Sequence, residues 1–244
     1  MSPKYLLPLV AAAMMSTSAI AQSQGDWIVR AGIGFINTDT DSGDLVFEGT
    51  RLENFQVNVD NNARPVVNLT WMATDNVGLE VLAAWPFRHN IDGRGALEPI
   101  GRLGSTKHLP PTVSLQYHFR PNQTVRPYAG IGLNYTWFFD QSTTDGLHDG
   151  IIATANAATG SDFTGGQTSL NIKDSFGIAL QFGLDIDLTR NTFLNFDLRW
   201  IDIEADARLR TRTEDGQGNP VELRSRIKAD IDPWVFTTAI GFRF

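Results

Sequence analysis

Residues 176–186 read Phe176-Gly177-Ile178-Ala179-Leu180-Gln181-Phe182-Gly183-Leu184-Asp185-Ile186. Large apolar side chains occupy every even position, and small or polar ones every odd position. Side chains on a strand point alternately to opposite faces, so this segment predicts a strand with one apolar and one polar or open face. Seven other segments share the pattern. Trp27, Val29, Ala31, Ile33 and Phe35 alternate with Arg30, Gly32 and Gly34. Pro65, Val67, Leu69 and Trp71 alternate with Asn68 and Thr70. Val77, Leu79, Val81, Ala83, Trp85 and Phe87 form a third set against Gly78 and Glu80. Val113, Leu115, Tyr117 and Phe119 oppose Ser114, Gln116 and His118. Ala129, Ile131, Leu133, Tyr135, Trp137 and Phe139 oppose Gly130, Gly132 and Asn134. Leu194, Phe196, Leu198 and Trp200 oppose Asn195, Asp197 and Arg199. Trp234, Phe236, Thr238, Ile240, Phe242 and Phe244 close the series against Thr237, Gly241 and Arg243. After Trp200 the apolar set moves to Ile201, Ile203 and Ala205, and a β-bulge is expected there.

The connections alternate in length. Thr74-Asp75-Asn76, Arg120 to Thr124 and Thr189-Arg190-Asn191 are tight. Thr38 to Ala63, Arg88 to His108, Asp140 to Ser169 and Thr211 to Pro220 are long and polar. Outer-membrane barrels pair short periplasmic turns with longer extracellular loops, and an even strand number leaves both termini in the periplasm. The charged last loop suggests that the final two strands continue above the membrane. On this topology Trp27, Trp71, Tyr117, Phe119, Phe242 and Phe244 fall at the periplasmic level, and Phe35, Trp85, Phe87, Trp137, Phe139 and Trp234 at the outer level. Two aromatic girdles flanking an apolar band are the signature of a bilayer-spanning barrel; a soluble sandwich would gather these rings in one core. The reading is therefore all-β: an eight-stranded antiparallel transmembrane β-barrel of the outer-membrane type.

Composition agrees. The 244 residues carry no cysteine and a net charge of -7, with no basic run, so nucleic acid is not an expected partner. Mean hydropathy is -0.16, as alternation of lipid-facing and lumen-facing residues would give. Lys4, the apolar run Leu6 to Met15 and Ala19-Ile20-Ala21 form a secretory signal, so residues 1–21 are expected to be cleaved and 22–244 to form the barrel. The terminal Phe244, with apolar residues at alternate positions before it, looks like the signal read by the outer-membrane assembly machinery; it is equally what any last strand would show.

Several segments carry a resemblance. They include Trp71-Met72-Ala73-Thr74-Asp75-Asn76 running into Val77-Gly78-Leu79-Glu80, Pro86-Phe87-Arg88-His89, and Lys107-His108-Leu109-Pro110-Pro111-Thr112. Further on stand Arg126-Pro127-Tyr128, Gly132-Leu133-Asn134-Tyr135-Thr136, Phe138-Phe139-Asp140 and Lys173-Asp174-Ser175-Phe176-Gly177. Asp232-Pro233-Trp234-Val235 precedes the terminal Gly241-Phe242-Arg243-Phe244. Taken in order over almost the whole mature chain, they resemble the OmpW family (the OmpW/AlkL-like barrels). The resemblance implies passive uptake of small hydrophobic molecules across the outer membrane of a Gram-negative cell. The long loops, Asp140 to Ser169 above all, depart from the family, so no particular solute is implied.

An eight-stranded barrel is just wide enough to be filled by side chains or to hold one slim ligand, so a wide porin is excluded. The inward set contains Arg30, Glu80, Asp185, Asp187, Asp197, Arg199 and Arg243. Charges withdrawn from water need partners, and a salt-bridged plug is the favoured reading over an ion pathway. Higher up, Ile36, Val66, Leu82, Pro86 and Phe138 are apolar yet inward by alternation. They either pack on one another or line an apolar pocket, with Leu82 as its floor or gate; the resemblance favours the pocket. Proline cannot donate a ladder hydrogen bond. Pro86, Pro110, Pro111 and Pro233 thus either leave a lateral gap in the wall or merely end strands.

Enzyme chemistry is not expected. Ser114 and His118 share a face but stand four residues apart, roughly 13 Å at the rise of a strand. His89 and His108 could approach across one hairpin, but two histidines without further ligands make a poor metal site. They read as satisfied interfacial residues. No cofactor or metal is expected. The expected partners are outer-membrane lipids and lipopolysaccharide, through Arg88 and Lys107, together with small hydrophobic solutes and the assembly machinery. The alternative is a plugged structural or receptor barrel, for phage or colicin, that transports nothing.

Overall fold

The computed structural model describes residues 22–244; the expected signal segment, 1–21, lies outside the described residues. Eight strands form the barrel: β1 (Trp27–Asn37), β2 (Asn62–Met72), β3 (Val77–Ala84), β4 (Thr112–His118), β5 (Val125–Thr143), β6 (Ser175–Asp187), β7 (Thr192–Ile201) and β8 (Trp234–Arg243). Each pairs antiparallel with the next, and β8 returns to β1 from Ile28↔Arg243 to Asn37↔Trp234. Closure leaves no free sheet edge, which hydrocarbon would not tolerate. The ring of Phe244 faces outward while its backbone exchanges hydrogen bonds of 2.8 and 2.9 Å with Trp27.

The alternation decides which face is which. On β6, Phe176, Ile178, Leu180 and Phe182 are exposed outward, while Ala179, Gln181 and Asp185 are buried in the lumen. Inward glycines make room for rings that cross the lumen: a Cβ at Gly183 would lie 2.1 Å from Cζ of Tyr128. Both girdles form as the alternation requires, except at Phe87. That side chain, expected on the outer face, is buried. β3 ends at Ala84, and the new strand beginning at Phe87 starts with the opposite face inward. The Trp85-Pro86 step between them absorbs the switch.

The bulge expected after Trp200 is not there. Odd positions stay buried from Phe193 through Ile201, Ile203 and Ala205 to Leu209, Thr211 and Thr213, with Ala207 half-buried, and the ladder with β6 runs unbroken to Ala179↔Ile201. The side chains do not change direction; the lumen changes from polar to apolar around them.

Above the barrel the chain builds two walls. Strands Phe55–Val59, Phe87–Gly95 and Arg102–Leu109 join the upper end of β5 in one sheet. Strands Thr164–Ile172, Glu204–Glu214 and Pro220–Asp230, with the short Leu45–Phe47 and Thr50–Leu52, form the other. The loop 140–169 is not unstructured. It contains a helix, α1 (Asp145–Thr159), capped by Thr144 Oγ1, which accepts from the Leu147 amide, and ended by Gly160 at φ 69°. Leu147, Ile151 and Ala155 form one buried stripe on α1 and pack into the apolar core between the walls.

Candidate binding site

The interior has two storeys of opposite chemistry. The lower is ionic. The Arg30 guanidinium grips Asp185 with Nε and Nη2, at 3.2 and 2.8 Å, and donates to Thr70 Oγ1 at 2.9 Å. Glu80 faces two arginines, Arg199 Nη2 at 2.6 Å and Arg30 Nη1 at 3.6 Å. Gln116 donates to the other Glu80 oxygen at 2.7 Å, and Gln181 bridges Glu80 and Asp197 at 3.1 and 2.6 Å. Asp197 also accepts from the Tyr128 hydroxyl at 2.9 Å and lies 3.6 Å from Arg199. Side chains of β1 to β7 thus meet in one network across the lumen.

Two inward charges lie apart from it. Asp187 pairs with Arg126 at 2.5 Å, and Arg243 donates to the Arg190 carbonyl at 3.0 Å near the tight turn between β6 and β7. Ser114 and His118 make no hydrogen bond to each other; His118 Nε2 lies 3.3 Å from Gln116 Oε1.

Immediately above the ionic layer the lumen turns apolar. Val66, Leu82, Phe87, Ile201 and Val235 are buried together. Over this layer lies a cavity of about 300 Å³, within the range of small-ligand pockets. Its lower wall includes Ile36, Phe138, Ala205 and Pro233, its sides come from both walls above the barrel, and Leu147 and Ile151 of α1 also line it. Ile36 and Phe138 therefore stand on the cavity wall. Leu82 and Val66 stand in the layer beneath it, while Pro86 is half-buried and off the lining.

The wall beside that layer is interrupted. The β3–β4 ladder ends at Leu82↔Thr112, and pairing between the same two chain segments resumes only at Phe87↔His108. Residues 83–86 and 109–111, including Pro86, Pro110 and Pro111, share no ladder pair across this interval. The Trp85 amide turns away and donates to the Pro65 carbonyl of β2 at 2.9 Å. Pro233 lies elsewhere, between β7 and β8, where its carbonyl accepts from the Ile201 amide at 3.2 Å.

His89 and His108, read as satisfied interfacial residues, are buried on the cavity wall, and that expectation needs correcting. Their rings meet edge to face with centroids 4.9 Å apart, and Nε2 of each lacks a protein partner. Burial pushes His108 down to about 3 and lowers His89 as well, so both are neutral at pH 7. Arg88 and Lys107 beside them both bind Asp140, at 3.0 and 2.7 Å. These two contacts hold the Asp140 carboxyl below the usual carboxylate range. No group of three or more metal-ligating side chains occurs among the described residues.

Comparison with known proteins gives one answer. The profile of the OmpW family matches residues 23–244. Outer membrane protein W of Vibrio cholerae is 38% identical over 237 residues, covering 96% of this chain and 96% of its own. The crystal structure of the outer membrane protein OprG from Pseudomonas aeruginosa superposes with a TM-score of 0.75 at 30% identity, over 92% of this chain and 98% of that one. The solid-state NMR structure of outer membrane protein AlkL in lipid bilayers shares the fold, with a TM-score of 0.60 at 24% identity over 100% and 97% of the two chains.

Proposed function

The chain belongs to the OmpW family of outer-membrane β-barrels, and from that premise we propose that it is a passive, non-enzymatic conduit for small hydrophobic molecules. They enter the apolar cavity from the cell exterior and leave sideways into the membrane. The observation that carries this reading is the stacking of an apolar cavity on an ionic plug, beside an interrupted wall. A hydrophobic solute gains by leaving water for the cavity. It cannot continue downward, because the next layer is a network of paired charges that a hydrocarbon would have to strip of their partners. The interval between β3 and β4 offers the remaining direction. Its backbone is not zipped by a ladder, and Trp85, exposed on the outer surface, marks its level as that of the outer girdle.

Leu82 and Phe87, buried in the apolar layer, bound the interval at its two ends and act as the gate in this reading. Lipopolysaccharide contacts, recognition of Phe244 by the assembly machinery and removal of residues 1–21 belong to the same proposal. The test is uptake of short-chain hydrocarbons by cells with the wild-type barrel, with none, and with Ala207→Phe, which places a ring in the cavity. Uptake should require the barrel and should be largely lost in the filled variant. Equal uptake with and without the protein would leave a plugged structural or receptor barrel as the reading.

A further inference from the structure

We propose that the cavity is selective within the hydrophobic class: it binds aliphatic molecules that carry a hydroxyl group, and His89 and His108 hold that hydroxyl. The inference rests on the conduit reading and names its solute more closely. Of the side chains lining the cavity, only Thr38, His89, Thr106, His108 and Thr154 carry polar atoms. The threonines are committed elsewhere. Thr38 Oγ1 donates to the Val59 carbonyl at 2.6 Å, and Thr154 Oγ1 to that of Gly150 at 2.8 Å. Thr106 Oγ1 is shared between the carbonyls of Lys107 and Phe139, at 3.3 and 3.4 Å. Among the described residues this leaves imidazole nitrogens as the lining's uncommitted side-chain polar groups: the buried Nε2 of His89 and of His108, and His108 Nδ1, for which no hydrogen bond forms. Buried polar atoms in native proteins are rarely left without a partner, and those that are call for an explanation.

The tautomers can be assigned from the contacts. His89 Nδ1 lies 2.5 Å from the Asp60 carbonyl oxygen, which can only accept, so the ring proton sits on Nδ1 and Nε2 presents a lone pair. His108 makes no such contact and is free to carry its proton on Nε2. The pair then offers one acceptor and one donor on rings whose centroids are 4.9 Å apart, the complement of a single hydroxyl that donates to His89 and accepts from His108. An alkane would leave both atoms dry. A carboxylate has no proton for His89 and would have to bring a net charge into an apolar chamber. The alkyl chain would lie against Leu147, Ile151 and their apolar neighbours.

The test uses the full barrel in lipid nanodiscs with ¹⁵N-labelled histidine, titrated with 1-octanol, n-octane and octanoate. 1-Octanol should move the Nε2 resonances of His89 and His108 but leave those of His118 and His148 in place. The ratio of octanol to octane affinity should fall about tenfold in His89→Leu and in His108→Leu, the loss expected for one buried hydrogen bond. His108→Gln, which restores a donor, should keep most of the preference. An unchanged ratio in both leucine variants, or octane moving the same resonances as octanol, would overturn the proposal and leave the conduit standing. If neither solute binds, the conduit reading falls with it. Should a leucine variant fail to fold, the wild-type resonances alone decide.

Discussion

His108 shows how much one position can depend on its surroundings. Its ordinary value of 6.5 is pushed down to about 3, first by burial and then by the neighbouring His89. Between those values the unfolded chain binds a proton that the folded chain refuses, so stability rises with pH across that window. This contribution is complete above about pH 6.5 and is lost as pH falls towards 3. Amide exchange in the 87–109 hairpin, corrected for intrinsic rate, should accelerate from pH 7 to pH 4, and His108→Leu should reduce that step to the part due to His89. A step of unchanged size would assign it to another group. The sequence places His89 and His108 where they could approach each other across one hairpin. It does not show that they lack partners, because the contact that commits His89 Nδ1 comes from Asp60, in a different loop. The plug was more legible: Arg30, Glu80, Asp185, Asp197 and Arg199 are charged residues on faces that alternation turns inward. Arg243 satisfies the same rule yet sits at the turn between β6 and β7, since alternation fixes a direction and not a height.

At the scale of elements, the end of β3 matters most. Pro86 and Pro110 lie within the unladdered interval, and replacing both with alanine restores two amide donors. In the conduit reading, Pro86→Ala with Pro110→Ala lets the interval zip and lowers hydrocarbon uptake by a correctly inserted barrel. Uptake equal to wild type would remove the sideways exit and leave the cavity as a binding site. This region is also where periodicity misleads. Hydrophobic alternation reports a contrast between two faces, and it indicates direction only while the lumen is polar. Once the lumen becomes apolar, Phe87 looks like another outward ring, and Ile201, Ile203 and Ala205 look like a change of phase. Neither reading survives the burial pattern. Helix α1 did leave a signal: Thr144 before it, Gly160 after it, and Leu147, Ile151 and Ala155 at intervals of four. Its polar residues, and its place in a loop between two strands, hide it.

The molecule as a whole stacks two bodies: a barrel whose outside is apolar and inside ionic, and above it a chamber with the reverse arrangement. Each charge of the ionic cluster depends on partners from other strands. Glu80→Gln keeps the volume but removes the charge that Arg30 and Arg199 share. It should lower stability by about 3–5 kcal/mol, the usual cost of leaving a buried charge without its partner. The midpoint of urea unfolding from lipid vesicles measures this, and a midpoint unchanged from wild type would show that Gln116 and Gln181 suffice.

The same cluster has a bearing on the order in which the barrel can be made. Arg30 and Glu80 belong to the first third of the chain; Asp185 and Arg199 arrive only with β6 and β7. Until then a growing sheet presents half of a charge pattern, which water must continue to solvate. An unfinished sheet therefore resists burial, and the late strands are what dry the interior. On this argument the ionic cluster would tie passage into the lipid to the arrival of the chain's last third. The Glu80→Gln barrel should accordingly insert into vesicles more slowly as well as less stably, whereas an unaltered insertion rate would separate the plug from assembly.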